Sequence, residues 1–126
     1  MLAALRFDRL REIASGLHTK AHLIELDVNR ITSLYASDAR HTSARVRWLG
    51  GSEDTVRGKE AIAEYFRRAL EKYPALHFEP ITVSTGPRTV AIEYRAQGSG
   101  RDEVTVELLE LDADGLIERS RVYHQG

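Results

Sequence analysis

LYASDARHTS, residues 34–43, is the most informative stretch of this chain. Its apolar spacing, continued from upstream, predicts a helix over residues 28–36, and the small polar residues after it predict a turn into a strand. That strand carries His41 and Ser43 on one face. RGKEAIAEYF, residues 57–66, predicts a glycine-led turn into an amphipathic helix. Together the two stretches indicate a pocket backed by a helix.

Composition limits the class of protein. The chain has 126 residues, 42% of them hydrophobic and 29% charged, which predicts a single domain over residues 1–126. Its 18 basic and 19 acidic residues leave a formal charge of -1, so no overall field attracts a polyanion and we expect no nucleic-acid partner. The chain has no cysteine, which excludes thiol nucleophiles, disulfides and thiolate metal sites.

No segment indicates a membrane or a leader sequence. The apolar run at residues 1–8 is too short for a signal peptide, and no segment approaches the ~18 apolar residues of a membrane span. We therefore expect a soluble, cytoplasmic protein without a membrane partner. We also expect no bound metal and no cofactor, because no set of ligating residues has recognisable spacing.

The pattern changes from helix to strand near residue 75. Before it, apolar residues recur at helical spacing, as in residues 10–24 and 62–70. After it, β-branched residues alternate with polar ones and turns rich in glycine, proline and aspartate intervene. Strands are predicted over residues 78–84, 89–96, 103–111 and 116–124. Such short connections predict antiparallel pairing, and helices that cover one face of the sheet give an α+β fold.

The strand predicted over residues 103–111 carries apolar side chains on both faces. One parity contains Val104, Val106 and Leu108, and the other contains Leu109 and Leu111. The helices can cover only one face of the sheet, so the other face needs a second cover. We expect a homodimer through the outer face of the sheet.

Three motifs in order resemble the nuclear transport factor 2-like superfamily, and within it the SnoaL-like branch. They are LYASDA at residues 34–39, RGKEAI at residues 57–62 and LDADGLI at residues 111–117. The resemblance implies a cone-shaped α+β barrel, with N-terminal helices packed on a curved, mainly antiparallel β-sheet. Members include isomerases, cyclases, dehydratases and proteins without enzymatic activity, so the fold alone implies a pocket and no single reaction.

Ketosteroid isomerase, a member of that superfamily, uses a carboxylate base together with a tyrosine and a protonated carboxylic acid. The resemblance aligns the base with Ser43 and the tyrosine with Thr19. A serine hydroxyl cannot accept a proton at neutral pH without a partner. Only the second acid has a counterpart, Glu107, so we expect no steroid isomerisation by that mechanism.

Four residues are candidates for proton transfer: His41, Ser43, Tyr94 and Glu107. A carboxyl group in an apolar pocket has a raised pKa, and a histidine in contact with it would be held in one tautomer or charged. Such a pair can act as general acid and base. The candidate ligand-contacting residues, from strand parity and the resemblance, are Trp48, Phe66, Ile92, Thr105, Leu109, Val122 and His124.

Each candidate also has a purely structural interpretation. Glu107 can form an ion pair with Arg95 or Arg121, and His124 lies near the end of the chain, where strands fray. Two function classes therefore stay open. One is an enzyme that transfers protons in a small, largely apolar carbonyl compound, as an isomerase, cyclase or dehydratase. The other is a non-catalytic module that binds a small hydrophobic molecule or associates with protein.

Overall fold

The structure is a computed structural model and describes residues 28–124. The helical pattern of residues 10–24, including Thr19, lies outside the described residues. Within the described part the helices are α1 (Val28–Thr32), α2 (Ala44–Trp48) and α3 (Lys59–Lys72). The strands are β1 (Tyr35–Thr42), β2 (Thr55–Arg57), β3 (His77–Thr85), β4 (Thr89–Gln97), β5 (Glu103–Leu111) and β6 (Ile117–His124).

The six strands form one sheet in the order β2-β1-β6-β5-β4-β3. The pairs formed by β3, β4, β5 and β6 are antiparallel, which confirms the prediction from the short turns. The pair β1 and β6 is parallel and joins the two ends of the described chain. The fold is α+β, as the sequence predicts.

The helix α3 covers the inner face of this sheet. It begins after Gly58, whose φ of 92° is a conformation that glycine adopts without a steric penalty. Its buried side chains recur three and four residues apart and so face one side. They are Ile62, Ala63, Tyr65 and Ala69. Ile62 belongs to the same core cluster as alternate residues of β4, namely Val90, Ile92, Tyr94 and Ala96.

The prediction of a helix over residues 28–36 is wrong at its end. The helix α1 ends at Thr32, and Tyr35 already pairs with Ile117 of β6. The backbone N–H of Ile117 also donates to the carbonyl oxygen of Leu34. This pairing with a distant strand outweighs the local helical spacing, and the small polar residues of the predicted turn lie inside β1.

The predicted strand position of Ser43 is also wrong. The strand β1 ends at Thr42, and Ser43 is the N-cap of α2, where its Oγ accepts a hydrogen bond from the backbone N–H of Arg45 at 3.2 Å. Serine is favoured at this position because its oxygen satisfies an amide that the first helical turn leaves unpaired. His41 remains on β1, so the two side chains reach the interior from different elements.

Candidate functional site

Glu107 lies on the inner face of β5, opposite Ile92 of β4 and Val122 of β6. It is partly buried and accepts a hydrogen bond from the Tyr94 hydroxyl at 3.4 Å. Burial raises the pKa of Glu107 from 4.5 to about 7, although the hydrogen bond from Tyr94 opposes the rise. Neither ion pair considered from the sequence forms, because Arg95 pairs with Asp102 and Arg121 pairs with Glu110.

Tyr94 is a buried hydrogen-bond donor beside this carboxyl group. Burial raises the pKa of Tyr94 well above its usual value, and the nearby charge of Glu107 raises it further. The phenol therefore keeps its proton throughout the range in which Glu107 titrates. Glu107 can exchange a proton near neutral pH, and Tyr94 remains a hydrogen-bond donor. These are the two groups that general acid and base chemistry needs at a minimum.

His41 is almost fully buried at the end of β1. Its Nδ1 lies 2.6 Å from the Ser120 Oγ, and that oxygen lies 3.4 Å from the Tyr35 hydroxyl. Burial, reinforced by the positive charges of His124 and Arg45, lowers the pKa of His41 from 6.5 to about 4. The imidazole is neutral at pH 7 and has no hydrogen bond to Glu107.

Ser43, His124 and Glu103 form a chain of hydrogen bonds. Ser43 Oγ lies 3.0 Å from His124 Nε2, and His124 Nδ1 lies 2.9 Å from Glu103 Oε1. Because a carboxylate only accepts, His124 Nδ1 carries the hydrogen and donates to Glu103, and His124 Nε2 faces the Ser43 hydroxyl. The order matches a nucleophile, base and orienting acid. Ser43, however, is only 2% exposed and caps α2. These hydrogen bonds therefore hold α2 against β6.

The remaining predicted contact residues separate into two groups. Ile92, Thr105 and Leu109 are 1–2% exposed and belong to the packed core. Phe66, Val122, Trp48 and His124 keep accessible surface. The Phe66 ring lies 5.6 Å from His41, and the Trp48 ring lies 5.0 Å from His124. The guanidinium of Arg101 covers Trp48 at 4.0 Å, so Trp48 lies at the surface end of this group.

The model of the SnoaL-like domain family matches residues 20–120. The chain belongs to the SnoaL-like family. This confirms the resemblance drawn from the three sequence motifs, and with it the cone-shaped α+β fold. No curated protein matches the chain significantly.

Solved structures place this SnoaL-like domain among proteins of varied description. A SnoaL-like protein of unknown function from Burkholderia thailandensis is 29% identical, with a TM-score of 0.75 over 98% of this chain and 97% of that chain. A phenazine biosynthesis-related protein from Pseudomonas aeruginosa is 22% identical, with a TM-score of 0.73 over 97% and 78%. The epoxide hydrolase/cyclase-like enzyme SalBIII is 21% identical, with a TM-score of 0.72 over 99% and 95%. The last two likenesses show a shared fold alone.

Two buried polar side chains of this SnoaL-like domain were not predicted from the sequence. Ser120, fully buried, holds His41. It shares the parity of Val122 and His124, so extending that alternation by one step could have found it. Arg45 is 6% exposed, and a serine cap before a short helix was the signal for its position.

The surroundings of the SnoaL-like site add three observations. A partly open cleft of about 350 Å³ lies between α3 and β2. Tyr65 lines this cleft, whereas Glu107, Tyr94 and His41 do not. Among residues 28–124, no three histidine, aspartate or glutamate side chains are grouped so that they could hold a metal ion. No helix in that same range is long and apolar enough to cross a membrane.

Proposed function

We propose that this SnoaL-like protein binds a small, largely apolar carbonyl compound in the cytoplasm and transfers a proton within it. Glu107 takes a proton from the carbon next to the carbonyl group and returns it to the same molecule at another position or after ring closure. The observation that carries this is a carboxyl group with a pKa of about 7, hydrogen-bonded to Tyr94 on the inner sheet face. A base is most effective when its pKa is near the working pH.

The roles of the other candidates follow from their protonation. With a pKa of about 4, His41 is a weaker base than Glu107 and serves as a neutral wall of the site, fixed by Ser120. Tyr94 supplies a hydrogen bond to Glu107 and can turn it toward a ligand oxygen as negative charge develops there. The exposed surface of Phe66 and Val122 fits an apolar ligand body.

Proton exchange tests this function without knowledge of the full reaction. Isomerase, cyclase and dehydratase steps of this kind all begin by removing a proton next to a carbonyl group. We expect the protein to catalyse exchange of such protons for deuterium in D₂O with members of a panel of small ketones and β-dicarbonyl compounds, followed by proton NMR. Glu107→Gln should slow exchange by about 100-fold or more, because the general base is lost.

Glu93→Gln is the matched control. Glu93 lies on the opposite face of the same sheet, where Thr82 donates to it at 3.3 Å. Its amide variant should exchange protons as fast as the original protein. If ketones bind but no compound exchanges, or if Glu107→Gln exchanges normally, the proton-transfer assignment is wrong and the protein is a binding module.

We further propose that two copies associate through the outer face of the sheet. Val106 and Tyr123, paired across β5 and β6, are 38% and 53% exposed, and Leu108 continues the apolar patch. The oppositely charged residues Arg121 and Glu110 lie beside this patch, which suits a self-complementary contact. A second copy of the chain is therefore the occupant that this face fits.

Light scattering coupled to size exclusion tests the association. We expect a mass of two chains, reduced to one chain by Val106→Lys, because a buried lysine without a partner is costly. Val83→Lys is the control, since Val83 on β3 is equally exposed at 39% but pairs with Ile92, on the other side of the sheet. A monomer before substitution, or a dimer that survives Val106→Lys, contradicts the proposed interface.

A further inference from the structure

Three arginines lie side by side on the outer face of the sheet, on β2, β1 and β6. Arg40 of β1 pairs with Arg57 of β2 on one side and with Arg119 of β6 on the other. Residues paired across neighbouring strands share a face of the sheet. The chain neighbours of Arg40, Ala39 and His41, are buried on the inner face, so Arg40 and its two partners lie on the outer one. Arg57, Arg40 and Arg119 form what we call the arginine row.

No ion pair neutralises the arginine row within residues 28–124. Two other arginines of the outer face are matched, Arg95 with Asp102 at 2.9 Å and Arg121 with Glu110 at 2.6 Å. Glu110 is the residue opposite Arg119 on β5, yet its carboxylate pairs with Arg121 instead. The row therefore keeps three positive charges.

This arrangement is unfavourable for the protein by itself. Neighbouring strands lie about 4.8 Å apart, and like charges directly opposite each other destabilise a sheet. Arginine stays protonated at every relevant pH, so the row cannot lose its charge by titration. Arg40, in the middle, is repelled from both sides. An anionic partner laid across the three strands would remove this repulsion.

We propose that the arginine row binds a short acidic segment of a partner protein, with two or more carboxylates in close succession. Each planar guanidinium can bind a carboxylate through two parallel hydrogen bonds. Arg40 and Arg57 are exposed and Arg119 is half-buried, so a segment can reach the row from solvent. Alternate side chains of an extended segment lie about 7 Å apart, so two carboxylates fit within the span of about 10 Å across three strands.

The charge of the whole chain favours a short segment over a long polyanion. Its 18 basic and 19 acidic residues leave a formal charge of -1, so a nucleic acid that extends beyond the row meets no further attraction. A segment that ends where the row ends gains the three favourable charges alone. The complementary partner is therefore a local acidic stretch of protein.

Fluorescence anisotropy with a labelled hexaglutamate peptide tests this site, and a hexaglutamine peptide is the uncharged comparison. We expect saturable binding of hexaglutamate alone, weakened as salt rises because exposed charges are screened. Arg40→Glu should weaken this binding by at least about 10-fold, since it removes an attractive charge and adds a repulsive one. The variant should fold, because Arg40 is exposed.

Arg95→Glu is the control, because it makes the same change of net charge on the same face of the sheet, at an arginine that Asp102 already neutralises. It should bind hexaglutamate like the original protein. Absence of hexaglutamate binding, equal binding of hexaglutamine, or an equal loss in Arg95→Glu overturns the site. Tighter binding of a single-stranded oligothymidylate of matched charge overturns the assignment of an acidic protein segment.

A second variant, Arg40→Thr, tests the repulsion itself. Threonine is favoured in strands, and loss of the middle charge should raise the urea midpoint of unfolding at low salt while hexaglutamate binding falls. The gain in midpoint should shrink in about 0.5 M sodium chloride, where surface charges are screened. A lower midpoint, or a gain that salt does not reduce, contradicts the unneutralised row on which the proposal rests.

The arginine row is independent of the proposed proton transfer and of the proposed dimer. Arg40→Glu should exchange ketone protons at the original rate, because Arg40 and Glu107 lie on opposite faces of the sheet. It should also keep the mass of the original protein in light scattering. A lower mass would place the row in a contact between two copies and overturn the separate acidic partner.

Discussion

Glu107 and His41 respond to the same burial in opposite ways. Removal from water disfavours the charged form of each, so the carboxyl group keeps its proton up to about pH 7 and the imidazole stays neutral down to about pH 4. Between these values both side chains are neutral.

These two shifts predict opposing effects of pH on stability. The folded protein binds more protons at Glu107 than the unfolded chain between pH 4.5 and 7, so that residue lowers the free energy of unfolding as pH rises. The folded protein binds fewer protons at His41 between pH 4 and 6.5, so that residue raises the free energy of unfolding over the shared range. The two slopes largely cancel in the original protein.

Single substitutions should separate the slopes in urea unfolding experiments between pH 4 and 8. Glu107→Gln should leave the His41 contribution alone, so that the free energy of unfolding rises by about 3 kcal/mol from pH 4 to pH 6.5. His41→Asn should leave the Glu107 contribution, with a fall of similar size from pH 4.5 to pH 7. A flat profile in either variant would show that the corresponding group is not buried as described.

At the scale of elements, the turn after β4 holds the strand that carries Tyr94. A Cβ atom at Gly98 would lie 2.0 Å from the carbonyl oxygen of Ala75, which follows α3, whereas a Cβ at Gly100 would meet nothing within 4 Å. Both glycines have positive φ, 91° and 82°. Gly98 and Gly100 are therefore both favoured by their backbone conformation, and Gly98 is also required because the backbone at Ala75 lies so close.

Alanine substitutions compare these requirements. Gly100→Ala should lower the free energy of unfolding by about 1 to 2 kcal/mol, the penalty for an L residue with positive φ. Gly98→Ala should cost several times more, because the backbone near Ala75 must also move. Chemical denaturation measures both, and equal losses would contradict the close approach of the turn to the chain after α3.

The bounds of β3 to β6 could be predicted from the sequence, whereas the start of β1 could not. Strands β3 to β6 follow from alternation and turn residues, which are local properties, and their bounds agree with prediction to within one residue at each end. The strand β1 was missed at its start because its pairing partner, β6, lies about 80 residues away. The helix propensity of residues 34–36 is a local property and carries no information about so distant a strand.

The candidate site was predictable where it depends on strand parity. Alternation places Tyr94, Glu107 and Val122 on one face, as observed. Arg45 and the contact between His41 and Ser120 depend instead on where α2 begins and on the register of β1 with β6. Those features arise from contacts between distant segments, so one sequence does not display them.

Over the whole molecule, the two faces of the sheet differ near their centres. The outer face carries matched pairs such as Arg121 with Glu110, at 2.6 Å, around the apolar patch at Val106. The inner face is apolar around Glu107, with Ile92 and Val122 on the adjacent strands. The raised pKa of Glu107 is therefore a property of the fold, since burial on this apolar face removes water from around its carboxyl group.

The proposed chemistry depends on that property, and the titration of Glu107 in the folded protein measures it. Glutamate labelled with ¹³C at Cδ gives one carbonyl resonance per residue, and the resonance absent from Glu107→Gln identifies the group. We predict a midpoint of about pH 7 for this resonance. A midpoint near 4.5, the value of a carboxyl group in water, would contradict the assignment of Glu107 as a base held ready in an apolar interior.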